Sequence, residues 1–261
     1  MRDTILSKTA LLTGGARRMG AEMARHLAAR GWRLLLHWNR SQEEAEALRE
    51  ELGRECVHLL QADLSLAAGR RRLVAQVLET LGEAPLHLLI HNASHFPQLR
   101  LEELDDDAFD ALFCLHVKTP LLLSRDLAPR LARGQGLILS MLDAGADWHW
   151  PAYLPYALSK QALRDVTIAL ARQLAPDVRV NGIEPGFILP PEAAPDSYRL
   201  AEAQRLTRAA GGPPHILKAL DYLLGAEFVT GEILTVDGGR RWIRPSSGAQ
   251  APLPESSPNP E

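Results

Sequence analysis

A tyrosine and a lysine stand four positions apart in Tyr156-Ala157-Leu158-Ser159-Lys160, a spacing that puts both on one face of a helix. A phenol titrating near 10 is a poor acid–base group at neutral pH until a neighbouring charge adjusts it. An ammonium one helical turn away is such a charge. Of the four tyrosines, only Tyr156 has a lysine four residues later. A Tyr–Lys pair on an amphipathic helix is also a frequent accident of composition, so its weight depends on what the rest of the chain supplies.

A second constellation lies near the start. Thr13-Gly14-Gly15-Ala16-Arg17-Arg18-Met19-Gly20 follows an apolar run and opens a helical pattern. Glycines at such a turn let the backbone approach a pyrophosphate, whose charge then meets the helix N-terminus. Glycine-rich turns also close ordinary strand–helix junctions, and it is the place after the first strand that singles this one out. Gly14, Arg17, Arg18 and Met19 are its candidate contacts with a dinucleotide. The second apolar run ends in His37-Trp38-Asn39-Arg40-Ser41, without the Asp or Glu that holds the ribose 2′-hydroxyl of NAD. His37, Arg40 and Ser41 offer charge and donors to a 2′-phosphate instead, with Arg17 approaching from the other side, so NADPH is the expected cofactor. Ser41 reads equally as an N-cap before Glu43 and Glu44, and the two roles can coexist. Asp63 and Leu64 follow the third run, where a carboxylate can accept from an adenine amino group. Asn92-Ala93-Ser94 follows the fourth, where a turn of small residues passes the nicotinamide-side ribose.

These residues need a scaffold that brings several loops to one edge. Apolar runs at Thr9–Thr13, Arg33–His37, Cys56–Gln61, Leu86–His91, Leu137–Met141, Val178–Ile183 and Ile233–Val236 alternate with helical periodicity, the pattern of a parallel sheet covered on both faces. Helices are predicted at Met19–Arg30, Ser41–Leu52, Asp106–Ala132 and Tyr153–Leu174. The fold class is therefore α/β, a Rossmann-like doubly wound parallel sheet of about seven strands with helices on both faces. Its ligands bind beyond the carboxyl ends of the strands. At 261 residues the chain suits one such domain, over residues 1–244. Leu189–Pro214, rich in Pro, Ala and charge, reads as a mobile lid with a short helix. Residues 245–261, rich in Pro, Ser, Gly and Gln, read as a disordered tail.

Composition narrows the function classes. With 46% apolar and only 5% aromatic residues the core must be aliphatic, and a net charge of −3 gives no basic field for nucleic acid or a membrane surface. Cys56 and Cys114 lie in apolar stretches and read as buried free thiols; no spacing supports a disulfide or a metal site. Met1–Lys8 has no apolar leader core, and no apolar run is long enough to span a bilayer, so a cytoplasmic protein is expected.

The set Thr13–Gly20, Asn92-Ala93, Tyr156–Lys160, Asn181-Gly182, Pro185-Gly186 and Val236-Asp237-Gly238-Gly239 resembles the short-chain dehydrogenase/reductases over roughly residues 5–244. The resemblance implies that Tyr156 is the general acid, that Lys160 lowers its pKa while bonding the nicotinamide ribose, and that the hydride comes from the nicotinamide. It adds Pro185 and Gly186 to the cofactor contacts, and it implies a homotetramer.

Three departures narrow it further. Arg18 stands where many members have Gly, Asp143 where many have a catalytic Ser thirteen positions before the Tyr, and His116 where Asn is usual. The first two are similar to the pteridine reductases, and most of all to bacterial dihydromonapterin reductases. Further matching stretches are His37–Ser41, Ile90–Ser94, His116–Leu122, Ala175–Asn181 and Phe228–Gly231. A ketone reductase uses the Ser hydroxyl on a carbonyl oxygen, whereas reducing the C=N bond of a dihydropterin requires a proton at nitrogen. Asp143 beside Tyr156 can relay one. By the same resemblance Arg18 bonds the pterin's oxygen and ring nitrogen, Phe96 stacks the pterin against the nicotinamide, and Ser94, Asp143 and Tyr156 complete the substrate contacts. An arginine matching Arg244 enters a neighbouring subunit's site, though a solvated basic end is an equal reading. The expected activity is NADPH-dependent reduction of a 7,8-dihydropterin, dihydromonapterin foremost and dihydrofolate second. The rivals are a carbonyl or 3-oxoacyl reductase of the same superfamily, opposed by Asp143 and Arg18, and a non-catalytic NADPH-binding regulator, opposed by Tyr156 and Lys160.

Overall fold

Three consecutive leucines in the second strand, and Leu11-Leu12 and Leu88-Leu89-Ile90 in the first and fourth, are buried on both faces, which only a covered parallel sheet allows. A computed structural model describes residues 8–190 and 205–243. Among them, β1 (Thr9–Leu12), β2 (Arg33–Trp38), β3 (Val57–Gln61), β4 (Leu88–His91), β5 (Leu137–Met141), β6 (Arg179–Pro185) and β7 (Ile233–Val236) form one parallel sheet in the order β3-β2-β1-β4-β5-β6-β7. Alternate residues feed two cores. Ala10, Leu12, Leu34, Leu36, Leu88 and Ile90 pack on one side, under α1 (Arg18–Ala28), α2 (Gln42–Leu52) and α7 (Pro213–Gly225). Leu11, Leu35, Leu60, Leu89, Ile138 and Val180 pack on the other, under α3 (Ala67–Leu81), α5 (Thr119–Arg133) and α6 (Leu154–Leu174).

The strand order reverses between β1 and β4, which pair with Leu12 opposite Ile90. Further along the sheet His91 lies opposite Ser140, and Ser140 opposite Gly182. The loops after β1, β4, β5 and β6 therefore emerge side by side at one edge, where such a fold binds its ligands.

The predicted helix Asp106–Ala132 is three elements. α4 (Asp106–Phe113), capped by Asp105 at Ala108 N, runs into a π turn over Cys114–Lys118 and then into α5. Pro120 explains the break. It has no N–H for a carbonyl one turn back and its ring crowds that carbonyl, and Thr119 N instead reaches five residues back to Cys114 O. The fourth strand starts at Leu88 rather than Leu86, and the sixth runs on to Pro185. Helices α3 and α7 were not among the predicted ones, and α7 begins inside the stretch read as a lid. Within that stretch 191–204, and beyond it Arg244 and the tail at 245–261, lie outside the described residues. Cys56 and Cys114 are free.

Candidate active site

The glycine turn is fixed by β4. Thr13 Oγ1 donates to Ile90 O at 3.1 Å and accepts from the N–H groups of Asn92 and Ala93 at 3.0 and 3.1 Å. Asn92 Nδ2 donates back to Thr13 O and Gly14 O at 3.1 and 2.8 Å. Gly14 has a φ of +62°, and a Cβ there would come within 2.8 Å of Ala93 Cα, so no other residue fits the crossing. Helix α1 then opens with no side-chain cap and no acid in its first turn, leaving its N–H groups and positive dipole end for an anion. Met19 packs its side chain on the core beneath.

Arg18 holds a backbone φ of 51°. That left-handed conformation costs a residue other than glycine roughly 1–2 kcal/mol, which accounts for Gly being common there. Its guanidinium donates to Leu189 O and Pro190 O, both at 3.1 Å. Arg18 thus joins the glycine turn to the chain leading into 191–204. Arg17 is exposed and 3.5 Å from Glu44.

His37 corrects an expectation. It is only 2% exposed and its Nδ1 accepts from Gly14 N at 3.1 Å, so Nε2 carries the proton and donates to Ala62 O at 3.0 Å. Burial lowers its pKa to about 4. A neutral, committed ring has no charge for a 2′-phosphate; it buttresses the glycine turn instead. Arg40 is exposed just past β2, and its charge adds to the Ser65 bonds in lowering the Asp63 pKa and to burial in lowering that of His95. Ser41 stands at the N-cap of α2 but makes no side-chain capping bond. The Asp63 carboxylate accepts from Ser65 N and Oγ at 2.9 and 2.6 Å and from Asn39, tying two loops together. Leu64 packs its side chain in the core and its carbonyl accepts from Thr119 at 2.9 Å, which leaves its N–H as the polar group for a ligand.

At the other half of the edge, β5 delivers Asp143 and α6 delivers Tyr156 and Lys160. Pro155, in the first turn of α6, sets the helix start. Tyr156 Oη donates to Asp143 Oδ2 at 2.7 Å, and Gly145 N donates to Oδ1 at 2.7 Å. Lys160 Nζ donates to Met141 O at 2.8 Å and lies 5.7 Å from the Tyr156 ring centre. Burial raises the Asp143 carboxyl above the usual range, against the pull of the Tyr156 and Gly145 bonds and the Lys160 charge. Burial and the Asp143 charge push the Tyr156 phenol well above its ordinary value. Burial brings Lys160 down to about 8, with Asp143 opposing. The expected lowering of the phenol by Lys160 is not met: burial first, and then the Asp143 carboxylate at 2.7 Å, hold Tyr156 in its protonated form.

Phe96, 49% exposed, covers this group. Its ring stacks on Tyr153 at 4.2 Å and 3° and meets Tyr156 edge-on at 4.5 Å. Tyr153, and Trp150 beside it at 6.2 Å, complete an aromatic wall over Asp143 that sequence reasoning missed. The signal was Trp148-His149-Trp150-Pro151-Ala152-Tyr153, three aromatics in six residues of a chain that is 5% aromatic. Pro185 O accepts from Ala144 N at 3.1 Å, and Gly186 packs so tightly on Asp237 that a Cβ would approach to 2.8 Å. His116 and Ser94 bond each other at 3.1 Å behind Tyr156. Gly14, Arg18, Asn92, Ala93, Ser94, Phe96, Asp143, Tyr156 and Lys160 therefore gather on one edge, with Arg40 at its rim.

The chain is similar to known proteins. The family model for short chain dehydrogenases matches residues 8–198. The chain is 33% identical over 239 residues to a dihydromonapterin reductase of Shigella boydii, across 88% of this chain and 95% of the relative. It is 31% identical over 247 residues to the oxidoreductase YmfI of Bacillus subtilis, across 90% and 99%. The structure of FolM alternative dihydrofolate reductase 1 from Brucella canis, complexed with NADP, superposes with a TM-score of 0.83 at 33% identity, covering 92% of this chain and 96% of that one. With its glycine turn at β1, its Tyr156–Lys160 pair on α6 and its seven-stranded parallel sheet, the chain belongs to the short-chain dehydrogenase family.

Proposed function

We propose that the protein reduces a 7,8-dihydropterin to its tetrahydro form with NADPH, dihydromonapterin foremost and dihydrofolate second. The observation that carries this is the 2.7 Å bond from the Tyr156 phenol to Asp143 beneath the Phe96 ring. A dihydropterin reductase among the relatives and an NADP complex among the similar structures support it. The open N-terminus of α1, with Arg17 and Arg18 at it, fits a pyrophosphate, and Arg40 at the end of an acid-free β2 fits a 2′-phosphate. Gly14, Asn92, Ala93, Ser94, Tyr156, Lys160, Pro185 and Gly186 complete the cofactor side.

Bound NADPH supplies a hydride to the carbon of the C=N bond. The chain's own residues handle the proton that the nitrogen must gain. Tyr156, kept protonated by burial and by the Asp143 carboxylate, donates it, and Asp143, whose carboxyl burial makes easier to protonate, then takes a proton from solvent water and passes it to the phenolate. Phe96 offers a flat apolar plate to the pterin face, and Arg18, once released from the two carbonyls it holds, offers donors to the pterin rim. The same reading carries a homotetramer in the cytoplasm; among the described residues no helix is long and apolar enough to cross a membrane.

Three variants test the placement of the ligands. A charge-assisted bond contributes about 1.5–3 kcal/mol, so Arg40→Ala should raise the KM for NADPH about tenfold or more and leave NADH nearly unchanged. Equal effects on both cofactors contradict the 2′-phosphate assignment. Aromatic stacking adds roughly 0.5–1.5 kcal/mol beyond area burial. Phe96→Ala should therefore weaken dihydropterin binding several-fold while sparing NADPH, and Arg18→Gly should impair pterin turnover more. Dihydropterin kinetics like wild type in both variants would place the pterin elsewhere.

A further inference from the structure

One buried ring takes no part in the chemistry above. His116, in the π turn between α4 and α5, is 1% exposed and uses both ring nitrogens. Its Nδ1 lies 2.8 Å from Ser159 Oγ, and Ser159 already donates its hydroxyl hydrogen to Tyr156 O at 2.7 Å. A hydroxyl has one hydrogen, so Ser159 Oγ accepts and the ring proton sits on Nδ1. Nε2 is therefore a lone pair. It accepts from His95 N at 3.2 Å, and the Ser94 hydroxyl, at 3.1 Å, has to donate to it. Burial, reinforced by the charges of Lys160 and His95, keeps the ring neutral. The Tyr156 ring meets it edge-on at 5.6 Å.

Ser94 also lies close enough to the Tyr156 phenol for its hydroxyl to favour the phenolate, against the larger effects of burial and Asp143. Its one hydrogen thus has two acceptors, His116 Nε2 and Tyr156 Oη. While Tyr156 is a phenol donating to Asp143, the imidazole lone pair is the better acceptor. Once Tyr156 has given its proton away, the phenolate is.

We propose that His116 is a positioning residue: in a tautomer imposed by Ser159, it holds Ser94 so that the Ser94 hydrogen turns from Nε2 to the Tyr156 phenolate when the substrate is protonated. The inference rests on the reading of Tyr156 as proton donor to a dihydropterin. It assigns the transition-state interaction to Ser94 and its aim to His116.

The test is a double-mutant cycle on kcat with NADPH and a dihydropterin, using Ser94→Ala, His116→Asn and the pair. An Asn amide takes the place of Nδ1 toward Ser159 but falls short of Ser94, whereas the amide oxygen of His116→Gln reaches the place of Nε2. A hydrogen bond to a charged group sets the scale. Ser94→Ala should lower kcat about tenfold, His116→Asn by a similar factor, and the pair no further than the worse single change. His116→Gln should retain more kcat than His116→Asn. Losses that multiply to about a hundredfold in the pair overturn the proposal, as does wild-type kcat in His116→Asn. Should His116→Asn fail to fold, or the enzyme turn over no dihydropterin, 15N NMR of labelled histidine in the wild-type protein decides separately. A proton on Nδ1 of His116 supports the proposal, and a proton on Nε2 overturns it.

Discussion

Tyr156→Phe should bind NADPH with near wild-type affinity and lose dihydropterin reduction by about 10²–10⁴-fold, the range of a general acid. The substitution removes one oxygen. The ring that packs edge-on against Phe96 stays, as does the helix turn that carries Lys160 to Met141 O. What disappears is the donor 2.7 Å from Asp143. Because that bond holds the Asp143 pKa down against burial, the carboxyl should titrate still higher in the variant. Fluorescence titration with NADPH and a turnover assay read the two halves of this prediction. A variant retaining a tenth of the wild-type kcat would show that the proton comes from elsewhere.

The second large effect is expected at Asp143, where Asp143→Asn keeps the shape and removes both the charge and the exchangeable proton. On the general acid–base scale kcat should fall about 10²-fold or more. The pH dependence gives a sharper reading. The Asp143 charge raises the pKa of Tyr156 and of Lys160, since a nearby anion favours the protonated form of each. Without it both groups give up their protons at lower pH, and the alkaline limb of the rate profile should move to lower pH. For Lys160 the starting point is about 8. Folding stability carries a related sign. A carboxyl whose folded pKa lies above its unfolded one contributes stability in its protonated form, and that contribution is lost as pH rises through the folded value. Asp143→Asn removes this loss, so the variant's stability should decline less with rising pH. A rate profile unchanged by the substitution takes Asp143 out of the relay.

The scaffold was legible because burial on both faces leaves a coarse mark. Leu-rich runs such as Leu34-Leu35-Leu36 cannot be surface strands, and their alternation with helical patterns admits few topologies. The Tyr156–Lys160 pair was legible because four-residue spacing on a helix is a geometric statement. What the sequence concealed depends on contacts between distant segments. His37 looked like a cation for a phosphate because it ends β2 beside Arg40; only the crossing of Gly14 and Ala62 over its ring makes it a buried acceptor and donor. The direction of the Tyr156 shift followed from its burial and from Asp143 lying against its oxygen, and spacing along the chain shows neither. The π turn at Cys114–Lys118 was hidden by an apolar periodicity that runs through it, although Pro120 marked the place. The aromatic wall was written in the run from Trp148 to Tyr153, but its face toward Phe96 came only with the 3₁₀ turn at Pro151–Tyr153.

On the proposed function Asp143, in the place where the resemblance leads one to expect a carbonyl-binding Ser, turns this site toward a C=N bond. The most direct measurement is NADPH oxidation by the wild-type protein against dihydromonapterin, dihydrobiopterin, dihydrofolate and a β-keto ester under one set of conditions. Steady turnover of the dihydropterins, with the highest kcat/KM for dihydromonapterin and little activity on the keto ester, is the predicted result. Efficient reduction of the keto ester with no turnover of any dihydropterin would contradict the account, and would leave a short-chain reductase acting on carbonyls.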